Sequence, residues 1–196
     1  MGKKESSFMN MLISLLIITI VAGFSLGFIN DLTKGPKAKA KLKRKVNAIK
    51  LVLPDFNNNP VHDVKLVKAI KAKDSVEIYP AYNNNELVGI AVTGSSEKGF
   101  SGLIKIMVGF LPEGTIKNIV VLEQKETPGL GTKMKDEKFL KQFRNKDPSK
   151  NNLQVTKDGG EIDALTGATI TSRAFSESVQ MAFDVYEKNK DSLKEN

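Results

Sequence analysis

Residues 103–110 read Leu-Ile-Lys-Ile-Met-Val-Gly-Phe, with Ile104, Ile106, Val108 and Phe110 at every second position. A period of two places these four side chains on one face of a β-strand. Similar short runs lie to either side, at Val76 to Tyr82, Leu87 to Thr93 and Ile116 to Leu122. The turn signals Asn83-Asn84-Asn85 and Pro112-Glu113-Gly114 separate them, so antiparallel hairpins are predicted. Helical patterning returns only later. Phe139 and Phe143 share a side over Asp136 to Phe143, and after Thr169 the residues Phe175, Val179, Ala182 and Tyr186 follow one helix face. Strands grouped first and helices later predict an α+β fold, an antiparallel sheet with flanking helices, rather than a doubly wound one. A dinucleotide-type G-x-G-x-x-G after a strand is absent, which leaves a Rossmann site without support.

The last helix begins beside a hydroxyl cluster. Residues 163–172 read Asp-Ala-Leu-Thr-Gly-Ala-Thr-Ile-Thr-Ser. A helix start offers unpaired backbone amides and the positive end of the helix dipole, a ready place for a phosphate. The same residues also read as an ordinary cap, with threonines satisfying terminal amides. A second motif, Glu126-Thr127-Pro128-Gly129-Leu130-Gly131, follows the last strand. Proline and then glycine at its centre fit a type II turn, which exposes amides and lets a flat ligand come close. Upstream, Lys98-Gly99-Phe100-Ser101-Gly102 is a glycine-flanked turn carrying an aromatic, and its plain reading is a hairpin connection.

Composition narrows the chemistry. The chain has no cysteine, which excludes disulfides and thiolate iron–sulfur ligation, so redox chemistry here needs an organic group. The one histidine, His62, has no second metal ligand near it in the sequence and reads as a surface or packing residue. No metal site is predicted. The net charge of +8 is unevenly spread. Residues 31–50 hold eight cations against Asp31 alone, while residues 51–196 hold 20 cations and 20 anions. A nucleic-acid groove needs its charge on the folded domain with aromatics interleaved, and that pattern is missing.

Phe8 to Ile29 runs 22 residues without a charge. At about 1.5 Å per residue this makes roughly 33 Å of helix, enough for a bilayer core. A cleaved signal peptide is the competing reading, but its apolar region is shorter and ends in a small-residue cleavage pattern. The expected organisation is a short cytoplasmic N-terminus at 1–7, a transmembrane helix at 8–29, a basic amphipathic connecting helix at 30–53, a ligand-binding domain at 54–187 and a tail at 188–196. In the connecting segment Leu42, Val46, Ile49 and Leu53 recur at helical spacing beneath the lysines, fitting either a lipid or protein surface or a solvated linker. Lys3 and Lys4 favour a cytoplasmic N-terminus, whereas the denser charge after the helix favours the reverse.

Taken together, the anchor, Gly99-Phe100-Ser101-Gly102-Leu103-Ile104, Glu126 to Gly131, and Asp163, Thr166, Gly167, Ala168 and Thr169 resemble a known family. It is the FMN-binding domain family of the G subunit of the Rnf electron-transport complex, shared with the C subunit of the Na+-translocating NADH:quinone oxidoreductase. The segment from Asp163 matches that family's signature Asp-x-x-Ser/Thr-Gly-Ala-Thr, and the resemblance covers nearly the whole chain. It implies a phosphoester from Thr169 to the phosphate of FMN, made from FAD by a dedicated flavin transferase with magnesium. A threonine hydroxyl with no base evident beside it agrees with activation by an external enzyme. Asp163 then caps the turn or is read by the transferase, and Thr166, Gly167 and Ala168 complete the site. Thr171 and Ser172 are expected either to donate hydrogen bonds to the phosphate or to accept the bond in place of Thr169. Glu126, Thr127, Gly129, Leu130 and Gly131 belong to the isoalloxazine pocket, with Thr127 and Leu130 the expected ring contacts.

The resemblance further implies an electron-transfer subunit of an ion-translocating ferredoxin:NAD+ oxidoreductase. Other membrane subunits are the expected partners, and the FMN domain lies outside the cytoplasm, against the charge count. Three rival readings stay open: the quinone-reductase C subunit, a free-standing anchored extracytoplasmic flavoprotein, and a non-redox membrane-attached interaction module.

Overall fold

The computed structural model describes residues 8–68 and 75–194. The expected cytoplasmic segment 1–7 and the last residues of the tail lie outside them. By compactness the chain forms two units, residues 1–43 and 44–196.

Helix α1 runs from Phe8 to Val52 and continues through Pro36. Its apolar stretch is long enough to cross a membrane, and side chains such as Leu15, Ile18 and Phe24 stand exposed along it. The second unit takes in the last turns of α1. There Ala48, Ile49 and Val52, with Leu53 just beyond, are buried. The boundary expected at residues 53/54 therefore falls inside this unit.

Five antiparallel strands form one meander in the order β1 to β5: β1 Lys65–Val67, β2 Val76–Asn83, β3 Glu86–Gly99, β4 Gly102–Phe110 and β5 Ile116–Glu123. The α+β class expected from the sequence is the one found. Asn84 and Asn85 both take positive φ, 49° and 66°, in the two-residue loop from β2 to β3. Those are the angles of the tight hairpin turn whose twist matches the flanking strands. At Pro112-Glu113-Gly114 the turn closes when the Gly114 N–H donates to the Leu111 carbonyl at 2.9 Å. Strand β3 extends six residues past the expected Thr93, so Gly99 to Gly102 is the tip of the β3–β4 hairpin. The polar run Ser95-Ser96-Glu97-Lys98 lacks the apolar alternation that marks a strand, and pairing with β4 organises it.

Alternation of period two divides the sheet between two cores. Ile78, Ile90, Val92, Ile104, Ile106, Val108 and Phe110 face helix α3, Thr169–Asn189, and its buried Phe175, Val179, Ala182 and Tyr186. On the opposite face Tyr79, Ala81, Ala91 and Met107 meet Ala48, Ile49 and Val52 of α1. Two glycines set these close approaches. A Cβ at Gly94 would lie 2.0 Å from the Ser178 carbonyl oxygen, and one at Gly109 would lie 2.0 Å from that of Val52.

Between the sheet and α3 the chain makes a 3-10 turn at Gly131–Lys135, helix α2 at Glu137–Leu140 and a second 3-10 turn at Thr156–Asp158. Helix α4, Asp191–Lys194, closes the described chain. The helix expected over Asp136 to Phe143 is thus a single turn, and residues 141–145 continue as tight turns. The cause is the edge of β5. Asn145 N–H donates to the Ile116 carbonyl at 2.8 Å and Ile116 N–H to the Lys146 carbonyl at 2.9 Å, which draws the chain out of the helix.

Candidate functional site

Three segments far apart in sequence converge at the start of α3. The tip of the β3–β4 hairpin brings Phe100, the loop after β5 brings Glu126, Thr127, Leu130 and Gly131, and the helix start brings Gly167, Ala168, Thr169, Ile170 and Thr171. Together they line a cleft of about 370 Å³. Its rim is apolar, with Phe100, Leu130 and Ile170 at 69%, 45% and 49% exposure. That size and a mostly apolar lining with a few placed polar groups suit a cofactor-sized ligand.

Within the loop, Leu130 N–H donates to the Thr127 carbonyl at 3.2 Å and Gly129 has φ 76°. This matches the predicted type II turn, whose third position needs positive φ. Thr132 Oγ1 accepts the Gly129 N–H at 3.0 Å and braces the turn. Gly131 is required sterically, because a Cβ there would lie 2.6 Å from Glu126 Oε2 and 2.9 Å from Thr171 Oγ1.

Glu126 is the buried acid of the site, at 5% exposure. Its Oε1 accepts the Ser101 N–H at 2.9 Å, and its Oε2 accepts the Thr171 hydroxyl at 2.6 Å. One carboxylate thereby fastens the hairpin tip, the loop and the helix to one another.

Helix α3 starts at Thr169 after Ala168, and no side chain caps it. A cap by the threonines is therefore not what the geometry shows, and the first amides of the helix have no partner within it. Gly167 enters the turn at φ 74°. The hydroxyls differ in access. Thr171 is 1% exposed and committed to Glu126, while Ser172 is fully buried, donating to the Ala168 carbonyl and accepting the Leu165 N–H. Thr169 is half-buried and lines the cleft.

Not every expected residue reaches the lining. Asp163, Thr166 and Gly129 stand outside it. Asp163 is exposed, and its backbone is held by Gln142, which accepts its N–H at 2.8 Å and donates to its carbonyl at 3.2 Å. Two lining residues were not among the expected site residues, Phe100 and Ile170. An aromatic between glycines at a hairpin tip, and an isoleucine off the core face of α3, are the signals in the sequence from which they could have been found.

A larger cleft of about 780 Å³ lies between α3 and residues 148–158 and shares Ile170. Its charges are paired among themselves. Arg173 forks onto Asp158 with both contacts at 2.7 Å and holds that carboxyl below its usual range, and Lys98 meets Glu177 at 2.6 Å. The smaller cleft is the better candidate because the three singled-out motifs meet there.

Residues 99–184 match the family described as FMN-binding domain. The G subunit of the Na+-translocating ferredoxin:NAD+ oxidoreductase complex of Acetobacterium woodii is 33% identical over 184 residues, covering 88% of each chain. The G subunit of the ion-translocating oxidoreductase complex of Vibrio atlanticus is 33% identical over 190 residues, covering 91% of each. Among solved structures, the crystal structure of Shewanella oneidensis NqrC aligns at a TM-score of 0.50 and 24% identity, over 68% of this chain and 70% of that one, a likeness of fold. With this identity over nearly its whole length, the chain belongs to the family of G subunits of ion-translocating oxidoreductase complexes and carries their FMN-binding domain.

Proposed function

We propose that this protein is the membrane-anchored electron-carrying subunit of an ion-translocating ferredoxin:NAD+ oxidoreductase, with FMN joined through its phosphate to Thr169. The observation that carries the reading is the meeting of three motifs in one cleft, with Thr169 the half-accessible hydroxyl of its lining. The residues suit the group: uncapped amides at the start of α3 for a phosphate, Gly167 for close passage of the chain, and Phe100, Leu130 and Ile170 for a flat apolar ring. When bound, the flavin supplies one- and two-electron transfer. The chain's own residues orient it, shield it from water and shape its electrostatics.

Attachment needs a phosphoryl transfer to the threonine oxygen. A flavin transferase acting on FAD provides it: the Thr169 Oγ–P bond to the FMN phosphate forms, the pyrophosphate P–O bond of FAD breaks with AMP as the leaving group, and the hydroxyl proton passes to the transferase. Asp163, exposed and outside the cleft, suits recognition by that enzyme better than a place beside the ring. The apolar half of α1 anchors the protein in the inner membrane as a single pass, N-terminus in the cytoplasm and FMN domain outside it, beside the other membrane subunits.

The test is intact mass with peptide mapping on protein from cells that contain the transferase. We expect one FMN phosphoester on the peptide holding Thr169, and a fluorescent band after denaturing electrophoresis. Thr169→Val is nearly isosteric and is expected to stay folded without covalent flavin. A non-fluorescent wild-type band defeats the reading, and full attachment in Thr169→Val moves the bond to Thr171 or to the exposed Thr166.

A further inference from the structure

We propose that Glu126 lowers the reduction potential of the flavin, because a buried negative charge fixed in the cleft wall opposes addition of an electron to a ring seated there. This rests on the FMN reading above.

The carboxylate is 5% exposed and lines the cleft. Both of its partners are neutral donors, the Ser101 N–H and the Thr171 hydroxyl. Among the described residues no lysine or arginine forms an ion pair with it. Its oxygens occupy the space beside two glycines: a Cβ at Gly99 would lie 2.8 Å from Oε1, and one at Gly131 would lie 2.6 Å from Oε2.

Burying a charge without an opposite partner is costly, and a neutral glutamine would serve the same clamp. The Oε1 of a glutamine accepts the Ser101 N–H, and its Nε2 donates to Thr171 Oγ1, which then acts as acceptor. What only the glutamate brings is the charge. At 5% exposure that charge is poorly screened by water, and each electron gained by a neighbouring ring adds a like charge. Reduction becomes less favourable, so Glu126 acts as a tuning residue as well as a positioning one.

The experiment compares the full chain in detergent, purified from transferase-containing cells, as wild type, Glu126→Gln and Thr171→Val. Covalent flavin is read by intact mass, and the potential by dithionite titration with mediator dyes, following flavin absorbance. We expect Glu126→Gln to keep its covalent flavin and to be reduced more readily. At the wild-type midpoint its reduced-to-oxidised ratio should rise about tenfold, equal to 59 mV for a one-electron step. Thr171→Val loosens the same contact but keeps the charge, and its potential should stay at or below wild type. An unchanged or lower potential in Glu126→Gln overturns the proposal. So does an equal rise in Thr171→Val, which would assign the effect to geometry, and so does loss of flavin from Glu126→Gln alone, which would assign the acid to assembly. Wild-type protein without flavin defeats the functional reading, and the tuning role with it.

Discussion

Asp147 shows how a single side chain writes a pH dependence into the fold. Its Oδ1 accepts the Ser149 N–H at 3.0 Å and the Ser149 hydroxyl at 2.7 Å, and Oδ2 meets the Lys150 ammonium at 2.8 Å. The Lys150 contact first, and the Ser149 hydroxyl next, hold its carboxyl down from 3.8 to about 2. A folded-state value below the unfolded one gives stability that is present above about pH 4 and lost as the pH falls towards 2. Asp147→Asn should therefore lower the urea midpoint at pH 7 and converge on wild type near pH 2; an equal gap at both pH values would refute the argument. At the same scale, Thr169 is legible in sequence because its signature is contiguous. The part played by Glu126 is not. Its partners are Ser101 and Thr171, 25 and 45 positions away, and no local spacing announces them.

Helix α3 is the element on which the second unit turns. Phe175 is fully buried and contacts the rings of Phe139 at 5.2 Å and Phe143 at 5.1 Å. Farther along, Tyr186 lies 4.8 Å from Phe110 and its hydroxyl donates to the carbonyls of Leu111 and Pro112, tying the helix to the β4–β5 turn. Phe175→Ala should cost about 3–5 kcal/mol, read as a drop in the denaturant midpoint, since it empties the centre of the aromatic cluster. A loss under about 1 kcal/mol would show that the cluster collapses to fill the space. The core face of this helix is readable from its period alone. The length of α2 is not, although Phe139 and Phe143 have helical spacing and are both buried. Pairing with the edge of β5 outweighs the local preference, and the second ring reaches the core through tight turns instead.

At the scale of the whole molecule, the positive-inside tendency and the family reading assign the FMN domain to opposite sides of the membrane. The chain has no cysteine, so a single Lys157→Cys in the exposed 3-10 turn before α3 gives a clean probe. An impermeant maleimide is expected to label it in intact cells. Labelling only after lysis would put the FMN domain in the cytoplasm and bring the topology back to the charge count. What the sequence determined by itself was whatever neighbouring residues decide: the apolar span, the alternation that makes a two-faced sheet, the Asn-Asn and Pro-Gly turns, and the core face of α3. These depend on periods of two and 3.6 and on the allowed angles of single residues. Tertiary structure alone decided the length of β3, the single turn of α2 and the assembly of the cleft. Each of these depends on contacts between segments tens of residues apart, where a sheet edge or a buried carboxylate overrides local preference.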